Sequence, residues 1–126
     1  MYIATTTQLV KRVFGATLLV PCLAWAGKAD VLEAHIVETG TDTYRVTATV
    51  RHDDAGWDHY ADKWDVVGPD GQVFGTRKLL HPHVDEQPFT RSLDDVTIPP
   101  EVQTVTVQAH DSVHGYGGSK VSADVP

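Results

Sequence analysis

Apolar and polar residues alternate with a period of two along two stretches of the chain. Tyr44, Val46, Ala48 and Val50 interleave with Arg45, Thr47, Thr49 and Arg51. Val105, Val107 and Ala109 interleave in the same way with Thr104, Thr106 and Gln108. Such alternation matches the two faces of an extended chain, and β-branched residues suit a half-buried pleated surface, so both stretches predict strands. Residues 31–38 form a third candidate, joined to the Tyr44 strand by Thr39-Gly40-Thr41-Asp42. Residues 64–67 and 72–80 flank Gly68-Pro69-Asp70-Gly71, where proline presets a turn and glycine permits positive φ. Residues 89–93, extending toward Ile98, end at Pro99-Pro100, which cannot donate to a ladder. Residues 120–125 are the last candidate. No segment sustains a helical period and no internal repeat is present. About seven short strands with turn signals between them predict an all-β fold, an immunoglobulin-like antiparallel sandwich with Trp64 in its core.

The first residues follow a different pattern. Lys11 and Arg12 precede a nearly unbroken apolar run from Val13 to Trp25, which closes on Ala24-Trp25-Ala26. Positive charge, a short apolar core and an Ala-x-Ala end predict a signal peptide over residues 1–26, cleaved before Gly27. A membrane anchor needs roughly 20 apolar residues, and this run is shorter. Acylation at Cys22 is the alternative, and Pro21 fits such a site poorly. The expected product is a single domain of residues 27–126, periplasmic or secreted, with no stable membrane insertion after cleavage.

Cleavage changes the composition. It removes Lys11 and Arg12 and no acid, so the formal charge moves from −7 to −9. The only Cys and the only Met are lost with it, which excludes disulfides, thiolate metal sites and thiol chemistry. A strongly acidic chain disfavours nucleic acid and anionic lipid as partners.

All seven histidines lie beyond residue 26. If consecutive strands alternate in direction, His52 and His59 fall in one loop, His81 and His83 in a second, and His110 and His114 in a third, all at one end of the sandwich. His35 sits mid-strand and reads as a sheet residue. The same loops carry Trp57, Tyr60, Asp85, Glu86, Asp111 and Tyr116. His81-Pro82-His83 projects two imidazoles to one side of an extended backbone, and His110 and His114 can converge across a turn. Imidazoles beside carboxylates suit Zn(II) or Cu(II), which nominates His81, His83, His110 and His114 as metal ligands, with His52 and His59 as further candidates. The acid pairs Asp53-Asp54, Asp85-Glu86 and Asp94-Asp95 read as solvated turns.

The run Leu79-Leu80-His81-Pro82-His83-Val84-Asp85-Glu86-Gln87-Pro88-Phe89-Thr90-Arg91-Ser92-Leu93, with Ala109-His110-Asp111-Ser112-Val113-His114-Gly115, resembles a group of small bacterial secreted proteins. No activity is attached to that group, so the resemblance transfers no site and names no catalytic residue. There is no nucleophile elbow and no phosphate-cradling loop. The expectation is therefore a small exported, non-catalytic binding module. It would engage an envelope protein through Trp57, His59, Tyr60, Asp85, Glu86, Asp111 and Tyr116. The alternative is a His-rich metal-binding protein or small metalloenzyme.

Overall fold

The computed structural model describes residues 27–126. The expected signal peptide, its cleavage point and Cys22 lie outside or at the edge of the described residues. Seven strands follow in order: β1 (Asp30–Gly40), β2 (Thr43–Arg51), β3 (Ala61–Val67), β4 (Val73–Lys78), β5 (Phe89–Thr97), β6 (Thr104–Asp111) and β7 (Val121–Asp124). They form two antiparallel sheets, ordered β1-β2-β5 and β4-β3-β6-β7. This is the all-β sandwich that the alternation predicts. Its fourth strand pairs with the third, not with the fifth as in constant-type immunoglobulin domains.

The core is what the period of two would bury. Tyr44, Val46, Ala48 and Val50 face Trp64, Val66, Val105, Val107 and Ala109, all buried, with Phe89 and Ile98 beside them. Each fully buried Val or Phe side chain contributes about 1.5–3 kcal/mol of transfer free energy. The turns also follow their residue types. Gly71 adopts φ 83° and donates to the Gly68 carbonyl at 3.0 Å, closing the β3–β4 hairpin.

Strand direction places the functional end. β2 finishes at Arg51, which pairs with Asp30 at the start of β1. β6 finishes at Asp111, which pairs with Ala61 at the start of β3. One end of the sandwich therefore gathers the β2–β3, β4–β5 and β6–β7 connections together with the residues that lead into β1.

Candidate metal centre

Two strands carry their inward alternation one step past the hydrophobic core. In β2 the buried series Val46, Ala48, Val50 continues to His52 and then Asp54, while Arg51 and Asp53 point outward. In β6 the series Val105, Val107, Ala109 ends on Asp111, with 0% of its surface exposed. Polar side chains are thus delivered to inward-facing positions, where each must be partnered.

Local turns complete the assembly. Gly56, at φ 119°, lets the loop fold back, so that Ala55 N–H donates to the His59 carbonyl at 2.9 Å. That reversal returns His59 beside His52, with ring centroids 4.7 Å apart. Asp111 Oδ1 accepts the backbone N–H groups of Val113 at 2.8 Å and His114 at 2.5 Å. This turn brings the His114 ring to 5.0 Å from that of His59. Ser112 N–H donates to the Tyr60 carbonyl at 2.9 Å, tying the two loops together.

The resulting donor set is compact. His52 Nε2 lies 3.6 Å from Asp111 Oδ2, and His59 Nε2 and His114 Nδ1 each lie 3.5 Å from Asp111 Oδ1. The Gly27 carbonyl oxygen is 3.2 Å from both His52 Nε2 and His59 Nε2. One ligand atom from each of His52, His59 and Asp111 lies within 4.8 Å of the other two. An ion held at about 2.0–2.1 Å by tetrahedral donors keeps those donors about 3.3–3.4 Å apart. The nitrogen–oxygen separations given above, 3.2–3.6 Å, are close to that spacing.

Electrostatics also favour a cation. Asp54 Oδ1 accepts from His52 Nδ1 at 2.5 Å, so in the neutral ring Nε2 carries the lone pair. That lone pair faces two oxygens, Gly27 O and Asp111 Oδ2, an arrangement that a proton or a metal ion on Nε2 must relieve. Asp111 Oδ2 is buried and, among the described residues, has no hydrogen-bond partner. Burial pushes the Asp111 carboxyl upward. The His114 and Val113 N–H groups and the facing imidazoles outweigh it and hold the group below its ordinary value, as a carboxylate. A buried anion of this kind calls for a counter-charge. Imidazoles and a carboxylate, with no thiolate, fit the borderline ions Zn(II) and Cu(II). The buried His52, His59 and Asp111 group can hold a metal.

Asp54 supports this group from behind. Contrary to its reading as a solvated turn residue, it is buried and accepts from His52 Nδ1, from Ala61 N–H at 2.9 Å and from His83 N–H at 2.7 Å. A carboxylate on the far nitrogen of a ligand imidazole fixes its tautomer and orientation. Gln87 adds a brace, accepting from His52 N–H at 3.0 Å and donating to the His83 carbonyl at 2.9 Å.

The other histidines lie in separate contacts. His83 stacks on Phe89 at 4.0 Å and against His81 at 4.7 Å. His110 Nδ1 is 2.6 Å from Asp62 Oδ1, and its ring meets Tyr116 edge-on at 4.8 Å. Tyr116 O–H donates to Asp65 Oδ2. His35 is exposed beside Glu33, away from this end. Of the expected contact residues, Trp57 is 67% exposed and packs edge-on to Tyr60 at 5.6 Å. Asp85 is exposed, and Glu86 pairs with Arg91 at 2.9 Å. The sequence analysis reads Asp54 as a solvated turn acid and gives Gly27 no role beyond following the cleavage point. The outward-inward alternation continuing beyond Arg51 was the signal for the first, and the direction of β1 was the signal for the second.

No family model matches the chain. A protein from Halomicrobium mukohataei, provisionally named a lipoprotein, is 38% identical over 97 residues, covering 77% of this chain and 47% of that protein. The chain thus spans about half the length of the curated relative it matches, and that relative is haloarchaeal, not bacterial. Among solved structures, a variant of the superoxide reductase neelaredoxin from Archaeoglobus fulgidus, in its reduced form, aligns at TM-score 0.49 and 10% identity, over 79% of this chain and 90% of that one. A hypothetical protein from Pyrococcus horikoshii aligns at TM-score 0.47 and 11% identity, over 77% and 90%.

Proposed function

We infer that this is an exported metal-binding domain, with His52, His59, His114 and Asp111 as side-chain donors for Zn(II) or Cu(II). The observation that carries the reading is the buried Asp111 carboxylate, whose unpartnered Oδ2 faces His52 Nε2 while its Oδ1 faces His59 Nε2, with one ligand atom of each residue within 4.8 Å of the others. In this reading His83 steadies Asp54 through its backbone N–H, while His81 and His110 are outlying imidazoles at the same end. The metal would supply positive charge and Lewis acidity. The chain's own residues orient the donors, exclude water from His52 and Asp111, and neutralise the ion. Export is supported by the leader pattern of residues 1–26 and by the lipoprotein designation of the relative.

A second role at the same end is recognition of an envelope protein. Trp57, Leu80, Val84 and Val113 are exposed apolar side chains on its loops, and Tyr60, Tyr116, Asp85 and Glu86 supply polar contacts beside them. Aromatic anchors among polar residues are common contact material.

Calorimetric titration with Zn(II) and with Cu(II) tests the metal reading. His59→Ala and Asp111→Asn should each abolish or greatly weaken binding while the circular dichroism spectrum stays that of a β-sandwich. His35→Ala should bind like the parent. Equal affinity in all four proteins would refute the reading.

A further inference from the structure

We propose that processing completes the metal site: Gly27 binds the ion through its carbonyl oxygen and, once Ala26 is removed, through its newly freed amino nitrogen. The inference rests on the metal reading above and adds a donor that no side chain provides.

The Gly27 backbone lies among three imidazoles, those of His52, His59 and His114. Its carbonyl oxygen is 3.2 Å from Nε2 of both His52 and His59. Its Cα faces the His114 ring so closely that a Cβ there would lie 2.5 Å from Cε1, 2.8 Å from Nε2 and 2.9 Å from Nδ1. Any larger residue here would push the His114 ring away from its place beside Gly27. The position is also fixed from behind. Ala29 is buried, Val31 N–H donates to the Ser119 carbonyl at 2.8 Å, and Asp30 Oδ1 accepts from Ser119 N–H at 2.7 Å. These bonds hold the start of β1 to the β6–β7 connection and so anchor the chain within three residues of Gly27.

The sequence puts the expected cleavage point immediately before this residue, after Ala24-Trp25-Ala26. Before cleavage the Gly27 nitrogen is a peptide amide, whose lone pair is delocalised into the carbonyl and is a poor donor. Hydrolysis of the Ala26–Gly27 bond by water leaves a carboxylate on Ala26 and an amine on Gly27. A terminal glycine amine and its own carbonyl oxygen can close a five-membered chelate ring on one ion. With no side chain, Gly27 can turn about its Cα–C bond to bring both atoms to the same side. The second contact is intramolecular, so it strengthens binding without a second encounter. The uncleaved precursor would then bind metal weakly and the exported product tightly, confining loading to the compartment where the protein works.

The test compares the purified uncleaved chain, the exported and processed protein, and a processed protein with one serine inserted before Gly27. Mass spectrometry first reads the N-terminus of the exported protein, which should be Gly27. A product beginning at an acylated Cys22, or an unprocessed chain, overturns the proposal. Cu(II) and Zn(II) affinities are then measured by competition with a chelator. The processed protein should bind about tenfold or more tightly than the other two, the gain expected of an added intramolecular donor. The Cu(II) electron paramagnetic resonance spectrum should show one more coordinated nitrogen in the processed protein. Equal affinities and equal spectra, with binding still lost in His59→Ala, would overturn the role of Gly27 and leave the side-chain site standing. No binding in any form would overturn both.

Discussion

Asp111 Oδ2 lies 3.6 Å from His52 Nε2, and each residue sits one inward step beyond the last apolar residue of its strand, Ala109 in β6 and Val50 in β2. The two sheets thus meet at this end through a carboxylate and an imidazole where hydrophobic contact would otherwise continue. Burial of that pair is costly unless every lone pair and proton finds a partner. The Asp54 carboxylate satisfies one side of His52, and the unpartnered Asp111 oxygen marks where the set remains open.

Asp54→Ala should therefore harm both fold and site. It orphans three donors, His52 Nδ1 and the N–H groups of Ala61 and His83, each loss costing about 1–3 kcal/mol. It also frees the His52 ring to turn, so Zn(II) affinity should fall about 10–100-fold although Asp54 is not itself a donor. Asp53→Ala, at the exposed neighbouring position, should stay within about 0.5 kcal/mol of the parent. Urea denaturation and zinc titration of the two variants decide the matter. Similar effects from both would remove Asp54 from its positioning role.

The fold was legible because its signals are local. Alternation along Tyr44–Val50 and Val105–Ala109, and turn chemistry at Gly68–Gly71, each predict one piece of backbone. Direction alternation then sent six histidines to one end. Grouping among those six was less legible, because it depends on which backbone groups hold each ring. The Asp111 turn brings His114 Nδ1 to 3.5 Å from Asp111 Oδ1, and His110, four residues earlier, turns to Asp62 instead. His83 is drawn away by its stack on Phe89. Spacing alone does not contain those choices.

Trp64 is fully buried between the sheets. Trp64→Ala should cost about 3–5 kcal/mol, the range for deleting a large aromatic from a core. Trp64→Phe should cost less, partly because the buried indole N–H has no partner to lose. Chemical denaturation monitored by far-ultraviolet circular dichroism measures both. A midpoint for Trp64→Ala near that of the parent would place this ring outside the stabilising core.

Tyr116 should ionise late. Burial raises its phenol first, and the hydrogen bond to Asp65 raises it further, against the opposing pull of Lys63. An ultraviolet titration of the folded protein should show a phenolic step above pH 10 that Tyr116→Phe removes. Tyr44, raised mainly by burial, should remain as a second late step in that variant. Because folding raises the Tyr116 value, its contribution to stability is complete below the unfolded value near 10 and declines as pH rises beyond it. An unchanged late amplitude in Tyr116→Phe would contradict the Tyr116–Asp65 contact.

His83 has the opposite sign. Burial between Phe89 and His81 lowers its value from the ordinary 6.5, and the positive charges of Arg91 and His81 lower it further, while Asp54 and Glu86 act against the shift. Near pH 6.5 and just below, the unfolded chain takes up a proton at this position that the folded chain refuses. Stability therefore rises with pH through this interval and levels off above it. The contribution is present above 6.5 and is lost as pH falls toward the lowered folded value. His83→Phe preserves an aromatic ring against Phe89 and keeps the backbone N–H that donates to Asp54. It has no proton to exchange, so the slope of stability against pH between about 5 and 6.5 should become shallower than in the parent. Urea midpoints measured across that range in the presence of a chelator isolate the effect from metal binding. Parallel slopes for the two proteins would mean that the stacked imidazole takes up its proton equally in the folded and unfolded states.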